Sequence, residues 1–303
     1  MVRTEFYNPS SLAVALELLD QYRQQAVIVN GGTDVVERIA NGSIDPAAII
    51  YIQGISELKG IGESNGFVRI GGAVTYKEIL DSPLCSQFSA LKQAVLEVGS
   101  PPIRVVGTPA GNLGTAVPAA DCNVALMALD AVVVAASKQG ERVIRLADLV
   151  VGYRKTALAA NELIKEIRIP VVAGVNTASA FVKLAKRKAQ DIAQVSAGVR
   201  LTVEGDVCRD IVVAMGAVNK VTVRAYSLEK LIAGKKVVDG AAAIKDMVPA
   251  EVALRSPGND LFAARPGAKA EREYKEAVIG VVVERAIKKA YAEILGGRKS
   301  YGR

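Results

Sequence analysis

The sequence predicts an α+β fold assembled from α/β elements and divided into two domains. At 303 residues the chain has about the length of two average domains. Near the N-terminus the predicted order is helix, strand, glycine turn and helix, which is typical of α/β proteins. After residue 176 three apolar segments of strand length follow one another, which indicates a three-stranded antiparallel sheet in a smaller second domain.

The elements of the first domain follow from the spacing of its apolar residues. The segment Asn8-Pro9-Ser10-Ser11 is a helix start signal, and Leu12, Ala15, Leu16 and Leu19 continue it at helical spacing. Further helices are predicted over residues 35–40, 76–80, 88–98 and 121–129. Strands are predicted over residues 26–29, 48–52, 58–61, 67–70, 130–135 and 163–169.

The second domain is predicted to follow a boundary within residues 171–176. We therefore predict domains over residues 1–174 and 175–296, with a basic tail over residues 297–303. The three strands are predicted at residues 178–185, 194–203 and 208–217, and the hairpin turn Glu204-Gly205-Asp206 joins the last two. Helices are predicted over residues 224–232 and 270–294.

The composition excludes several kinds of catalytic and metal site. The chain has no histidine, and so it has no Ser-His-Asp or Cys-His machinery and no histidine ligand or base. Its cysteines, Cys85, Cys122 and Cys208, are far apart in sequence, so no Cys-x-x-Cys pair offers a metal or redox site. We predict neither a catalytic side chain nor a metal site in this chain.

Charge and hydropathy indicate where the protein acts and which partners it lacks. The net charge is +7, but aromatic residues make up only 5% of the chain, which argues against a nucleic-acid-binding surface of interleaved basic and aromatic groups. No apolar run approaches the ~18 residues of a membrane span, and the first residues lack the apolar core of a signal peptide. We expect a cytoplasmic protein that neither binds nucleic acid nor spans a membrane.

Two glycine-rich turns without lysine are the features most informative about function. The first is Val29-Asn30-Gly31-Gly32-Thr33-Asp34, and the second is Gly107-Thr108-Pro109-Ala110-Gly111-Asn112-Leu113-Gly114. Each follows an apolar stretch that we interpret as a strand end, and glycine lets such a turn direct its backbone N–H groups toward an anion. Neither a G-x-G-x-x-G nor a P-loop pattern is present. Two such turns in one domain predict a cradle for a diphosphate and hence a dinucleotide cofactor.

Polar residues in and after the second turn are candidates for contacts with that cofactor. The backbone N–H groups and Thr108 have the chemistry to hold phosphate oxygens. Asp121, at a predicted helix start, has the chemistry to accept hydrogen bonds from ribityl or ribose hydroxyls. Its alternative role is a plain helix N-cap.

At this point the sequence resembles a known family, the FAD-binding (medium) subunits of the molybdenum hydroxylases, such as xanthine, carbon monoxide and nicotinate dehydrogenases. The first turn is similar to the family's Ala-Gly-Gly-Thr-Asp loop, and residues 103–113 are similar to its Ile-Arg and Gly-Thr-Ile-Gly-Gly-Asn segments. Val117-Pro118-Ala119-Ala120-Asp121 matches its Ser-Pro-Ala-Ala-Asp, and residues 152–156, 187–193 and 270–274 are also family-like. The sequence departs from the pattern at Asn30 and at Pro109-Ala110.

The resemblance implies a fold, a cofactor and a set of site residues. It implies a two-subdomain FAD-binding domain of the PCMH type, followed by a smaller domain like the C-terminal domain of carbon monoxide dehydrogenase flavoproteins. It also implies non-covalent FAD, with Lys183 beside the flavin ring or, alternatively, as a solvent-facing strand residue. The predicted cofactor-binding residues are Val29, Asn30, Gly31, Gly32, Thr33, Asp34, Thr108, Gly111, Asn112, Thr115, Asp121 and Lys183.

The function implied by the resemblance is electron transfer within a larger complex. The FAD would take electrons from a partner 2Fe–2S subunit and pass them to NAD(P)+ or another acceptor, while a molybdenum-cofactor subunit oxidises the substrate. Molybdopterin and the 2Fe–2S clusters are expected only in those partners, in a dimer of heterotrimers. Two alternatives remain open at the level of sequence, namely a stand-alone FAD oxidoreductase and a non-catalytic scaffold that binds another phosphate ligand.

Overall fold

A computed structural model describes residues 4–172, 176–252 and 267–301 of the chain, with side chains to residue 296 in the last range. The boundary predicted between residues 174 and 175 lies outside the described residues. The side chains of the predicted basic tail, residues 297–303, also lie outside the described part.

The described residues form strands and helices in the following order along the chain. The strands are β1 (Glu5–Tyr7), β2 (Ala26–Val29), β3 (Ala48–Tyr51), β4 (Ile61–Ser64), β5 (Phe67–Gly71), β6 (Val132–Ser137), β7 (Gly140–Arg145), β8 (Val150–Gly152), β9 (Lys155–Thr156), β10 (Leu163–Pro170), β11 (Thr177–Leu184), β12 (Val195–Glu204), β13 (Val207–Gly216) and β14 (Val223–Arg224). The helices are α1 (Leu12–Tyr22), α2 (Val35–Ala40), α3 (Tyr76–Asp81), α4 (Ser89–Glu97), α5 (Pro101–Val106), α6 (Pro109–Thr115), α7 (Asp121–Ala128), α8 (Leu146–Leu149), α9 (Tyr226–Ile232), α10 (Val237–Ile244) and α11 (Ala268–Tyr301).

The chain divides into two compact units that interleave in sequence. Unit 1 comprises Met1–Cys85, Gly99–Ala116 and Ala131–Pro170. Unit 2 comprises Ser86–Val98, Val117–Asp130 and Val171–Arg303. Helices α4 and α7 therefore belong to unit 2, although they lie within the sequence range predicted for the first domain. The domain boundary near residue 174 stays a prediction.

Unit 1 contains a small parallel sheet and a larger antiparallel sheet among its described residues. The parallel sheet has the order β1-β3-β2, and α1 buries Ala15, Leu16 and Leu19 in one core with Ile50 of β3. The antiparallel sheet has the order β4-β5-β10-β6-β7. Strand β2 ends at Val29, so the first glycine turn starts at the carboxyl end of a parallel strand, which is where α/β proteins place ligand loops.

Unit 2 is built on an antiparallel sheet with a helix on each face. The described strands have the order β11-β12-β13-β14, and the apolar residues of α11 pack on the sheet through Ile279, Val282, Val283, Ala286, Ile287, Ala290 and Ile294. Val195, Ala197 and Val199 of β12 lie in that core, and because side chains alternate along a strand Gly198 faces the opposite side. A Cβ atom at Gly198 would lie 2.9 Å from the Val124 carbonyl oxygen, so α7 packs directly on the strand backbone.

Most predicted elements are present, but the surroundings of the second glycine turn were wrongly predicted. The apolar stretch before it is the helix α5, not a strand end, because the prolines Pro101 and Pro102 occupy its first turn. Residues 109–115 form the helix α6, not an open turn, because Thr108 caps a helix that begins at Pro109. Residue 58 is also not in a strand, since β4 begins at Ile61. The sheet of unit 2 contains the three predicted strands and adds the two-residue strand β14.

A glycine in α11 allows close packing of α10, and this yields a stability prediction. A Cβ atom at Gly280 would lie 2.4 Å from the Ile244 carbonyl oxygen and 2.5 Å from that of Lys245. Overpacking of this kind costs about 1–3 kcal/mol or more. We expect Gly280→Ala to lower the free energy of unfolding by that amount in urea denaturation. Gly296→Ala in the same helix meets nothing within 4 Å and should be neutral or stabilising by up to about 1 kcal/mol.

Candidate functional site

The first glycine loop, residues 30–34, is held by close backbone packing in unit 1. A Cβ atom at Gly31 would lie 1.9 Å from the carbonyl oxygen of Val106 in α5, so no other residue fits there without moving the backbone. Gly32 has a φ of +70°, a conformation that glycine adopts without strain. Asn30 Nδ2 donates a hydrogen bond of 2.6 Å to the Gly72 carbonyl oxygen. The loop is therefore fixed on both sides by main-chain groups of its own unit.

An arginine of the β8–β9 hairpin clamps both glycine loops. The guanidinium of Arg154 donates to both carboxylate oxygens of Asp34, at 3.0 and 3.1 Å. The backbone N–H of Arg154 donates to the Ala116 carbonyl oxygen at the end of α6, at 2.9 Å. Hydrogen bonding to Asp34 raises the pKa of Arg154 above its ordinary value. Asp34 thus acts in this structure as a positioning group for the loop, whereas Thr33 is exposed.

The second glycine segment is the capped start of a helix. Thr108 is buried, and its Oγ1 accepts a hydrogen bond of 3.0 Å from the Gly111 backbone N–H. Pro109 occupies the first helical position, where its fixed φ is favourable. Ala110 is buried within α6 and has no positive φ. The departure from the family pattern at Pro109-Ala110 therefore introduces no backbone strain.

The two loops lie side by side within unit 1. A Cβ atom at Gly111 would lie 2.9 Å from Thr108 Oγ1 and 3.8 Å from the Cβ atom of Asn30. The hydroxyl of Thr115 donates to the Gly111 carbonyl oxygen at 3.0 Å. The side-chain amide oxygens of Asn30 and Asn112 are buried and have no hydrogen-bond partner among the described residues. Each is therefore a buried acceptor for which the described part of the chain supplies no donor.

The remaining two predicted residues, Asp121 and Lys183, form a buried ion pair in unit 2. Lys183 Nζ lies 2.7 Å from Asp121 Oδ2 and 3.3 Å from the Glu97 carbonyl oxygen. The Lys183 side chain is only 4% exposed, which excludes the alternative of a solvent-facing strand residue. Asp121 is the first residue of α7 and not its N-cap, because Ala120 occupies the cap position.

The electrostatic state of Asp121 is set by opposing effects. Burial raises the pKa of Asp121 from its ordinary value of 3.8 to about 6, although the ammonium of Lys183 acts to lower it. The second carboxylate oxygen, Oδ1, is buried and has no partner among the described residues. A buried carboxylate with one free acceptor is suited to bind a hydroxyl group.

The structure thus separates the predicted site residues into two sets. Unit 1 holds the glycine-loop residues, and unit 2 holds Asp121 with Lys183. Sequence reasoning missed Arg154 as a site residue, although the stretch 152–156 that contains it supported the family resemblance. Among the described residues there is no group of three or more His, Cys, Asp or Glu side chains that could hold a metal ion. No helix in the described part is long and apolar enough to cross a membrane.

Comparison with family models defines the class of protein. Residues 2–172 match the FAD binding domain in molybdopterin dehydrogenase, and residues 180–290 match the CO dehydrogenase flavoprotein C-terminal domain. Because the first match alone covers more than half of the chain, the protein is a flavoprotein of this class, and FAD is the cofactor of the class.

Individual relatives and solved structures give the same assignment. The chain is 33% identical to the nicotinate dehydrogenase FAD-subunit of Eubacterium barkeri over 96% of both chains. It is 28% identical to the carbon monoxide dehydrogenase medium chain of Hydrogenophaga pseudoflava, over 96% of this chain and 98% of that one. Its fold matches a chain of the crystal structure of Cu,Mo-CO dehydrogenase with a TM-score of 0.84, at 26% identity over 96% and 98% of the two chains. The chain belongs to the FAD-binding medium subunits of the molybdenum hydroxylase family and is the FAD-dependent part of such an oxidoreductase.

The residues of unit 1 fit the cofactor of this family. Gly31 and Gly32 keep the first loop free of side chains where the backbone turns. The orphaned amide oxygens of Asn30 and Asn112 require donors. Phosphate oxygens cannot donate, whereas the ribityl and ribose hydroxyls of FAD can. The loops therefore combine backbone suited to a diphosphate with acceptors suited to sugar hydroxyls.

The contact at Gly31 predicts the effect of a single methyl group on cofactor binding. Gly31→Ala should displace the first loop from Val106, at a cost of about 1–3 kcal/mol. We expect FAD affinity, measured by fluorescence titration of the apoprotein, to fall about tenfold or more. Gly62→Ala is the matched control in unit 1, because nothing lies within 4 Å of its Cβ position. Unchanged affinity in Gly31→Ala would contradict a role for this packing.

The raised pKa of Asp121 predicts a pH dependence of stability. Between about pH 4 and pH 6 the unfolded chain loses the Asp121 proton while the folded chain retains it, so stability falls as the pH rises and levels off above about 6. The expected loss is on the order of 3 kcal/mol. In urea unfolding at several pH values, the stability difference between the wild type and Asp121→Asn should fall by this amount as the pH rises, whereas the difference between the wild type and the exposed control Asp81→Asn should show no such fall. An identical slope in Asp121→Asn would refute the assignment.

Proposed function

We propose that this chain is the FAD-carrying electron-transfer subunit of a molybdenum hydroxylase complex. It would take electrons from a 2Fe–2S partner subunit and deliver them to NAD(P)+ or another acceptor. The observation that carries this proposal is the pair of glycine loops in unit 1, joined by Arg154, in a chain that belongs to the FAD-binding medium subunits. The class of substrate is a property of the molybdenum-cofactor subunit and not of this chain.

Each proposed site residue has a role in binding or orientation. The backbone of residues 30–34 and the start of α6 would hold the diphosphate, with Thr108 shaping the second loop and Asp34 holding the first through Arg154. The amide oxygens of Asn30 and Asn112 would accept from hydroxyl groups. These roles explain why the loops need no lysine. The backbone N–H groups of the turn carry partial positive charges, and these face the bound anion.

The buried pair in unit 2 would serve the other functional groups of the cofactor. Asp121 would accept a hydrogen bond from a ribityl or ribose hydroxyl through its free Oδ1. Lys183, oriented by Asp121 and Glu97, would place a fixed cation where the reduced ring carries negative charge. When bound, FAD supplies the exchange of one or two electrons that links iron–sulfur clusters to a two-electron acceptor. No protein acid or base is needed for this role.

The partners and the location also belong to the proposal. The relatives are named as medium chains and FAD subunits of dehydrogenases, which supports partner subunits that carry the molybdenum cofactor and the 2Fe–2S clusters. We infer a cytoplasmic dimer of heterotrimers. A domain boundary near residue 174 would separate the FAD-binding domain from the C-terminal domain, in agreement with the ranges of the two family models.

Purification of the complex tests the function. The chain, affinity-tagged and co-expressed with the genes adjacent to its own, should yield a yellow-brown complex with stoichiometric FAD and with molybdenum and iron by elemental analysis. FAD without molybdenum or iron would instead support a stand-alone oxidoreductase. A colourless protein that takes up no FAD would refute the flavoprotein function. Anaerobic mixing of the reduced complex with NAD+ or NADP+ in a stopped-flow instrument identifies the acceptor by the return of flavin absorbance.

A further inference from the structure

The short segment between β5 and α3 contacts both glycine loops of unit 1. Asn30 Nδ2, in the first loop, donates to the Gly72 carbonyl oxygen at 2.6 Å. The backbone N–H of Tyr76 donates to the carbonyl oxygen of Gly107, the first residue of the second glycine segment, at 3.0 Å. Residues 72–76 therefore link the two loops, and we call them the bridging segment.

The bridging segment is itself held tightly within unit 1. A Cβ atom at Gly72 would lie 2.2 Å from the Ile164 carbonyl oxygen of β10, and the Gly72 N–H donates to the Lys165 carbonyl oxygen at 2.7 Å. Toward its other end, Thr75 and Glu78 form the capping box that starts α3. Closely packed backbone of this kind transmits displacements instead of absorbing them. The segment therefore acts as a rigid spacer between the loops.

A second side-chain amide, Gln53, binds the bridging segment beside Asn30. Gln53 follows β3, where the Ile52 N–H donates to the Val29 carbonyl oxygen at 2.9 Å. The two amides therefore lie at the same carboxyl end of the parallel sheet. Gln53 Nε2 donates to the Ala73 carbonyl oxygen at 3.0 Å, and this carbonyl directly follows the one that Asn30 binds. The parallel sheet thus holds two consecutive carbonyl groups of the segment.

The unpaired oxygens of these two amides favour a role in geometry over one in stability. Asn30 Oδ1 and Gln53 Oε1 are both buried and have no hydrogen-bond partner among the described residues. A buried acceptor without a donor lowers stability, which offsets what the amide nitrogen contributes. Asn30 also stands where the family's Ala-Gly-Gly-Thr-Asp loop begins with alanine. The benefit of the two amides therefore lies in where they hold the bridging segment.

We propose that Gln53 is a positioning residue for the cofactor, which acts with Asn30 through the bridging segment to set the spacing of the two glycine loops. This inference rests on the proposed function, in which both loops hold the diphosphate of FAD. The length of a diphosphate is fixed, and hydrogen bonds weaken steeply when their distance or angle changes. A displaced loop would therefore lose its bonds to a phosphate group. Gln53 lies outside both loops and acts through Ala73, without contact to the phosphates.

The test measures FAD binding to the full-length apoprotein by fluorescence titration, and urea unfolding of the same preparations. Gln53→Met keeps the size of the side chain but cannot donate, and it should weaken FAD binding about three- to tenfold. Asn30→Ala introduces the residue of the family pattern and should nevertheless weaken binding by a similar factor. Because both amides act on one segment, the double variant should lose much less than the product of the two factors.

Asn161→Ala is the matched control in unit 1. Asn161 is a half-buried amide whose Nδ2 bonds Asp20 and Gln139 instead of the bridging segment. This variant should lose stability in urea but bind FAD as the wild type does. A second readout is the phosphorus NMR spectrum of FAD bound at saturation, which reports on the diphosphate directly. Its two resonances should shift in Gln53→Met and stay unchanged in Asn161→Ala.

Several results would overturn this proposal. Unchanged FAD affinity in Gln53→Met would do so, and so would an equal loss of affinity in Asn161→Ala. Factors that multiply in the double variant would exclude action through one shared segment. Lower stability of Gln53→Met with unshifted phosphorus resonances would leave Gln53 a purely structural role. Wild-type protein that binds FAD while the variants behave like it refutes the positioning role alone, whereas wild-type protein that binds no FAD refutes the proposed function and this inference with it.

Discussion

The contact between the Gly31 backbone and the Val106 carbonyl oxygen is the constraint on which the cofactor loops of unit 1 depend. A Cβ atom at Gly31 would lie 1.9 Å from this oxygen, so the contact leaves no space for any side chain. It places the turn after β2 against the end of α5, directly before the segment in which Thr108 caps α6. The hydrogen bond from Asn30 to Gly72 and the three hydrogen bonds of Arg154 to Asp34 and Ala116 then fix the loops from other directions. Backbone contacts thus set the geometry, and side chains maintain it.

Charge is used differently in the two units. In unit 1 the pair Arg154 and Asp34 is about one-third exposed, so its main contribution is geometric, since partly exposed ion pairs add little stability. In unit 2 the pair Lys183 and Asp121 is almost fully buried, and its desolvation is large enough to raise the pKa of Asp121. Removing one partner of such a pair costs more than the pair contributes, because the other charge remains buried. The buried pair is therefore suited to hold two functional groups in fixed positions.

Much of the fold and part of the site could be predicted from residue patterns. The strand Ala26–Val29, the first glycine loop and the long helix α11 follow from local signals that tertiary packing does not override. The segments α5 and α6 could not be predicted as readily from their residues. The six residues of α5 are compatible by length with a strand or a short helix, and α6 contains Gly111 and Gly114, which have low helix propensity. The ion pair of Lys183 with Asp121 could not be predicted from the sequence either. The two residues are 62 positions apart, and their contact depends on how α7 packs on the sheet.

By itself, the sequence determined the family, the cofactor and the residues of the two glycine loops. It did so because backbone turns that approach a ligand closely demand glycine, and that demand is visible at single positions. The tertiary structure alone decided the partners of those residues. It showed that Asp34 binds Arg154 and that Lys183 is buried beside Asp121. Such contacts join residues distant in sequence, and because burial and pairing depend on packing, only the folded chain specifies them.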